Sequence, residues 1–283
     1  MNVAEFPVLV ALASAVAGFL GALTGLGGGV VVVPMLSLVF GIDIRYAIGA
    51  SLVSVIATSS GAAAAYVKEG FTNIRIGMFL EVATTFGALA GAFLAAYVSS
   101  SAIAVVFGVV LLASAYLSAR HQPEVNVAKN ADALAARLRL DGDYPTLAGR
   151  QAYHVQRVPL GFAIMFVAGV LSGLLGIGSG AFKVLAMDQA MRIPFKVSTT
   201  TSNFMIGVTA AASAGIYLAR GYLDPALAMP VMLGVLVGSI AGSRVLPGAR
   251  PQSLRMLFAV VILALGVEMI YHGMPGSLEP HGN

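Results

Sequence analysis

Long hydrophobic runs alternate with short polar breaks along most of the chain. They fall at about 6–26, 29–41, 46–67, 76–98 and 101–119, then at about 158–176, 180–191, 197–219, 223–246 and 252–271. A helix needs ~20 apolar residues to cross a ~30 Å hydrocarbon core, and most of these runs meet that length. Between the two sets lies a polar stretch from Arg120 to Arg157. It holds Arg120, Glu124, Lys129, Asp132, Arg137, Arg139, Asp141, Asp143, Arg150 and Arg157, too much charge for lipid. The stretch reads as a solvated linker with a short helix over about 128–140. The pattern therefore predicts an all-α polytopic membrane protein. Its parts are a first transmembrane repeat (1–119), a polar linker (120–157), a second transmembrane repeat (158–272) and a short tail (273–283).

The two apolar sets are copies of each other. An offset of 151 places Gly18, Gly25, Gly27 and Gly29 over Gly169, Gly176, Gly178 and Gly180 without a gap. In the same register Ser51 meets Ser202, Thr58 meets Thr209, Tyr66 meets Tyr217, Gly70 meets Gly221, and Phe107 meets Phe258. Internal repeats of this size characterise secondary transporters. The apolar segment from Phe6 to Leu23 has its own copy in the second half, and no Lys or Arg precedes it. It is read as structure and not as a signal peptide, which needs a positive start.

Lys and Arg set the orientation. If 6–41 and 158–192 are hairpins that return to the side they left, and the linker is cytoplasmic, 13 of the 16 cations lie inside. Arg45 and Arg220 lie outside, and Lys183 lies within the membrane. Single crossings would move Arg192, Lys196, Arg244, Arg250 and Arg255 outside, so the hairpins are preferred. This reading places both termini outside. It makes the two repeats inverted, each with a glycine-broken re-entrant hairpin plus three spans, about eight full spans in all. The expected location is the inner (plasma) membrane.

Composition agrees and narrows the classes. Of the 283 residues 58% are hydrophobic and 10% are charged, against about 25% charged in a soluble domain. Mean hydropathy is +0.90. A soluble enzyme and a disordered chain are excluded. The chain has no Cys, so disulfides and thiolate sites are absent. No His-Glu-x-x-His, Gly-x-Ser-x-Gly or paired catalytic carboxylates occur within the spans, and the four His lie outside them. An enzyme, a metal site and a cofactor are not expected, nor is a nucleic-acid partner. A homo-oligomer is compatible with the sequence.

The chemical feature is the pair of glycine breaks, Thr24-Gly-Leu-Gly-Gly-Gly29 and Leu175-Gly-Ile-Gly-Ser-Gly180. Each Gly destabilises a helix interior by ~1 kcal/mol relative to Ala, and several together end it. The arm after the first break has about 13 residues, too short for a span at ~1.5 Å per residue. It suits a half-helix that starts near the midplane with free N–H groups at the positive end of its dipole, an anion-binding arrangement. Close helix packing is the competing explanation for any single Gly-x-Gly. It is also the preferred one for Gly87-x3-Gly91 and Gly238-x3-Gly242.

These residues resemble the sulfite exporter TauE/SafE family of permeases. The resemblance is carried by Gly18-x6-Gly25-Leu-Gly-Gly-Gly29 followed by Pro34, by Gly169-x6-Gly176-Ile-Gly-Ser-Gly180, and by Thr200-Thr-Ser-Asn-Phe-Met-Ile-Gly-Val-Thr209 with Tyr217 and Gly221 after it. It covers nearly all of the chain except the linker. It implies a carrier of sulfite, a sulfonate or another small organosulfur or organic anion. The second copy departs from the pattern: Ser179 replaces a glycine, Leu185 stands opposite Pro34, and Lys183 stands opposite Val32.

An embedded Lys marks a functional site by default. Lys183 is read as an anion partner, with an ion pair to Glu81 or Glu268, or snorkelling, as the alternatives. Glu81 is a candidate carrier of a coupling proton, and pairing with Arg75 near the interface competes with that role. Ser202 and Asn203 lie deeper in their span than Ser198 and Thr199, where they serve either packing or an anion's shell. The candidate substrate-binding set is Thr24, Gly25, Gly27, Gly28, Gly29, Gly176, Gly178, Ser179, Gly180, Lys183, Ser202 and Asn203. The expected activity is alternating-access transport of a small anion, with an anion channel as the alternative.

Overall fold

In a bilayer every backbone polar group must be satisfied within the chain, and helices do so segment by segment. The apolar runs accordingly become helices in the computed structural model, which describes residues 5–24, 28–68, 70–119, 132–146, 149–245 and 251–274. The first half comprises α1 (Glu5–Thr24), α2 (Gly29–Pro34) continuing as a π-helical turn (Met35–Val39), α3 (Ile44–Lys68), α4 (Ile74–Leu94) and α5 (Ser100–Ala119). The linker folds as α6 (Ala133–Arg137), β1 (Gly142–Thr146) and β2 (Gly149–Tyr153). The second half repeats the first as α7 (Val158–Leu175), α8 (Gly180–Leu185) with its π-helical turn (Ala186–Ala190), α9 (Phe195–Ala219), α10 (Pro225–Val245) and α11 (Pro251–Gly273).

The offset of 151 holds in the backbone as well as in the sequence. The two π turns occupy equivalent positions, although Pro34 precedes the first and Leu185 the second, so proline is not their common cause. Equivalent bonds close the arms, Ile42 N–H to Leu36 O at 3.1 Å and Ile193 N–H to Met187 O at 3.0 Å. Gly70 and Gly221 both have φ +75°, a left-handed conformation that glycine adopts without a Cβ penalty.

Both hairpins return to the side from which they start. The Phe6 ring, at the start of α1, meets the Phe40 ring beyond the first π turn at 6.0 Å. Gln156 N–H, just before α7, donates to Met191 O just after the second π turn. The short arms expected from the glycine breaks are present in both halves.

Helix pairing is symmetric under exchange of the halves. A Cβ on Gly87 of α4 would lie 2.2 Å from Phe166 O of α7, and one on the equivalent Gly238 of α10 would lie 1.9 Å from Ala15 O of α1. Gly169 faces Thr84, and its equivalent Gly18 faces Val235. The small-xxx-small motifs are therefore packing surfaces, where backbones approach closely. Helix α3 runs antiparallel to its equivalent α9: Gly49 touches Tyr222, Ser59 touches Gly207, and Asn73 N–H bonds Thr201 Oγ1. Helix α5 runs antiparallel to α11 in the same way, Gly108 meeting Gly266 and Ser101 meeting Gly273.

Apolar stripes face outward. Met78, Val82 and Phe86 on α4 are exposed, as are the equivalent Met229, Leu233 and Val237 on α10. Ser51, Ser54, Thr84, Thr201, Thr209 and Ser213 are instead buried. Exposed apolar stripes over buried hydroxyls suit a lipid surround and not water. Ile74–Leu94, Val158–Leu175, Phe195–Ala219 and Pro225–Gly242 are long and apolar enough to cross a membrane, with shorter apolar stretches at Glu5–Gly21, Gly29–Val39, Ile44–Ser60, Ser100–Tyr116 and Val260–Gly273. The protein is a helical membrane protein.

The described part of the linker, residues 132–146 and 149–157, is more ordered than its composition suggests. The helix expected over about 128–140 is limited to Ala133–Arg137, and residues 128–131 lie outside the described residues. An antiparallel β-hairpin follows. Its anchor is Asn73, whose Oδ1 caps α4 at Ile76 N and whose Nδ2 donates to Tyr153 OH (2.7 Å) and Leu140 O (3.3 Å). The linker thus sits at the end bearing Arg75, Arg192 and Lys196. At the opposite end Arg45 donates to Val98 O, and Arg220 donates to Phe93 O.

Candidate functional site

The second glycine break is built from three left-handed residues. Gly176 and Gly178 have φ +68°, and Ser179 has φ +44°. Gly176 ends α7, its N–H donating to Ser172 O. Ser179 sits in a conformation that costs a residue with a side chain roughly 1–2 kcal/mol, and its buried Oγ has no hydrogen-bond partner. In the first break Gly25 and Gly27 lie outside the described residues, and Thr24 is described only as the last helical residue of α1. Gly28 and Gly29 are buried at the start of α2, where Gly28 O accepts from Val31 N and Val32 N.

The two breaks meet. Ser51 Oγ donates to Gly176 O at 2.9 Å, joining α3 to the second break. A Cβ on Gly29 would lie 2.7 Å from Ser51 Oγ and 3.1 Å from Gly176 O. Ser202 Oγ donates to Gly180 O at 3.3 Å, so its proton serves the hairpin, and the adjacent Asn203 is half-buried. A Cβ on Gly178 or Gly180 would press on Ile206 at 2.7 and 2.8 Å. The glycines therefore satisfy a packing demand and a conformational demand at once. Ser198 and Thr199, read as caps or packing residues, bond back to Ile193 O and Phe195 O, and Pro194 occupies the N-cap position.

One turn beyond the second break lies a cluster of buried charge. Lys183 is fully buried, and its ammonium donates to Thr209 Oγ1 at 2.5 Å. Thr209 Oγ1 donates in turn to Glu81 Oε1 at 2.7 Å. Thr85 Oγ1 donates to the same carboxylate oxygen at 3.1 Å. A threonine hydroxyl has one proton and two lone pairs, so Thr209 accepts from the cation and donates to the anion. Glu81 Oε2 is buried and has no partner. Glu81 comes from the first half, whereas Lys183 and Thr209 come from the second. The pairing of Glu81 with Arg75 is overturned: Arg75 is exposed, with its guanidinium 3.5 Å from Arg139 O. Lys183 and Glu81 share a site, as one reading of Lys183 required, but through Thr209, which the sequence marked as a repeat match and not as a site residue.

The site is one-sided. The residues equivalent to Lys183, Thr209 and Glu81 are Val32, Thr58 and Met232. Val32 is fully buried, and Thr58 Oγ1 bonds back to Ser54 O and Val55 O within its own helix. Asp188, also near the second hairpin, accepts from Gln189 Nε2.

At the linker end, Phe71, Thr72, Arg75, Asp141, Asp143 and Arg150 line an open groove of about 270 Å³ that the sequence did not signal. The hydrogen bond from Arg150 holds the Asp143 carboxyl below its ordinary value and raises Arg150 in return. Burial pushes the Tyr153 hydroxyl up to about 12, so it remains a neutral partner for Asn73.

Residues 10–269 match the family described as Sulfite exporter TauE/SafE. The chain belongs to the TauE/SafE family. This TauE/SafE protein is 28% identical over 280 residues to the "Probable membrane transporter protein YunE" of Bacillus subtilis, covering 95% of this chain and 99% of that one. It is 27% identical to YjnA of the same organism, with 89% and 95% covered. It is 23% identical to a "Probable membrane transporter protein" of Xylella fastidiosa, with 90% and 91% covered. No solved structure matches it. The TauE/SafE protein is thus a membrane transporter whose matched region includes both hairpins and the linker.

Proposed function

We propose that the protein carries a small sulfur-containing oxyanion, sulfite or an organosulfonate or a related organic anion, across the inner membrane by alternating access. The observation that carries this reading is Lys183, a fully buried cation one turn past a break in a membrane helix. Embedded ionisable groups on broken helices recur at transporter binding sites. The meeting of the two breaks supports a central site drawn from Thr24, Gly25, Gly27, Gly28 and Gly29 of one hairpin and Gly176, Gly178, Ser179, Gly180 and Lys183 of the other, with Ser202 and Asn203 beside it. The antiparallel course of α3 against α9 and of α5 against α11 supports inverted repeats, with eight full spans when the short arms are left out. The cationic linker end supports a cytoplasmic linker and termini outside.

The test is thermal stabilisation of the purified protein by sulfite, methanesulfonate, acetate, phosphate and chloride. A ligand at 100 times its Kd stabilises by about 2.7 kcal/mol. Stabilisation by sulfite or the sulfonate, and not by chloride, is expected. Saturable counterflow in vesicles separates a carrier from a channel. A flat response to the whole panel would refute the reading.

A further inference from the structure

Lys183 already has an anionic neighbour, Glu81, one hydroxyl away. Other charged groups on the elements around it bond elsewhere or are exposed. Helix α7, packed against α4, has no charged residue. Helix α9 contributes Lys196, exposed in its first turn over the Phe71 ring. On α4 itself the other charge is Arg75, exposed in its first turn. Beyond α8 the nearest acid in sequence, Asp188, is engaged by Gln189. Among the described residues, Lys183 and Glu81 are thus the charged pair that one hydroxyl joins, and Asp188 is bonded elsewhere. A substrate anion arriving at Lys183 would leave two negative charges around one ammonium in a water-poor core, an arrangement disfavoured because an uncompensated charge there has lost its hydration.

We propose that Glu81 and the transported anion compete for Lys183, and that Glu81 takes up one proton for each monovalent anion bound. The proposal rests on the transport reading and gives that site its coupling ion. The balance is simple: carboxylate, proton and anion become carboxylic acid and Lys-bound anion, with no net change in charge inside the protein. The proton comes from water and goes to Oε2, the buried oxygen that has no partner. Thr209 is the shared element. Its hydroxyl is held between the two charges, and Met205 O lies 3.1 Å away as an alternative acceptor once the carboxylate is neutral. Since Glu81 belongs to one half and Lys183 to the other, anion binding breaks a link between the halves at the moment the site fills. The carrier is in this sense a proton–anion symporter.

The probe is methanesulfonate, whose own charge does not titrate. Its affinity for the wild-type protein is measured by calorimetry at several pH values and in two buffers that differ in ionisation enthalpy. Kd is expected to fall about tenfold for each unit that pH is lowered, with one proton taken from buffer per anion. Glu81→Gln, which mimics the protonated acid, is expected to bind at least as tightly as the wild type at low pH and to lose the pH dependence. Lys183→Gln is expected to weaken binding at least tenfold. Melting curves of both variants establish that they are folded. PH-independent binding by the wild type, or an unchanged pH dependence in Glu81→Gln, overturns the competition and leaves the transport reading intact. No binding by the wild type at any pH sinks the sulfonate site itself, and the proposal with it.

Discussion

Replacing Lys183 by Gln tests whether the buried charges depend on each other. Lys183 is wholly buried, Glu81 is 8% exposed, and a single hydroxyl lies between them. Removing one partner of such a pair leaves an uncompensated charge and costs about 3–5 kcal/mol. For a chain of this size that corresponds to a fall in melting temperature on the order of 10 °C. Glu81→Gln should cost a similar amount, since it strands the ammonium. The double variant Glu81→Gln/Lys183→Gln retains polar groups but no charge, so it should be far more stable than the sum of the single losses implies. Thr209→Val removes the bridge and leaves both charges, which should cost about 1.5–3 kcal/mol for lost bonds to charged groups. The assay is a melting curve of the wild type and all four variants in one detergent with no added anion. Additive losses in the double variant would refute the reasoning, because they would mean that carboxylate and ammonium do not sense each other.

Gly87→Leu and Gly238→Leu should each sharply lower the yield of folded protein, because their Cβ positions lie 2.2 and 1.9 Å from a facing carbonyl oxygen. Gly215→Ala, where nothing lies within 4 Å, should be neutral or stabilise by up to ~1 kcal/mol; size-exclusion profiles check all three. Gly178→Leu should abolish transport while the protein still inserts, since φ +68° and Ile206 leave no place for a side chain; normal flux in vesicles would contradict this. The chain has no Cys, so Ala133→Cys and Ser99→Cys report on opposite ends. An impermeant reagent applied to intact cells should label position 99 and spare position 133. Asn73→Ala should remove a helix cap worth ~1 kcal/mol together with the linker's anchor, and so hasten tryptic cleavage of the linker.

Much of the architecture was legible because it depends on local rules. Glycine clusters stop helices, and the length of an apolar run decides whether a helix can cross. Hence the hairpins, the 151-residue offset and the packing role of Gly87 and Gly238 could all be read before any coordinate. The charged site was only half legible. Lys183 stands out by type, but Glu81 and Thr209 are 128 residues apart, and nothing along the chain records which helix faces meet. Thr209 also looks like an ordinary small packing residue, since its hydroxyl is distinguished only by what lies on either side of it. The π turns escaped because two different residues, Pro34 and Leu185, precede the same geometry. The β-hairpin in the linker escaped because Gly142–Thr146 and Gly149–Tyr153 are short and polar, with pairing fixed by docking onto Asn73 and the start of α4.

The one-sidedness of the charged site has an energetic consequence. On the alternating-access reading, two inverted halves of identical sequence would make the inward-open and outward-open forms related by a twofold rotation and equal in free energy. Such a machine has no preferred resting side. Lys183 opposite Val32 and Glu81 opposite Met232 remove that degeneracy, because the ammonium and carboxylate belong to one pairing of helices and have no counterpart in the other. A gap of about 1.4 kcal/mol already favours one form tenfold. On the alternating-access reading, two side chains therefore suffice to give a nearly symmetrical scaffold a default state.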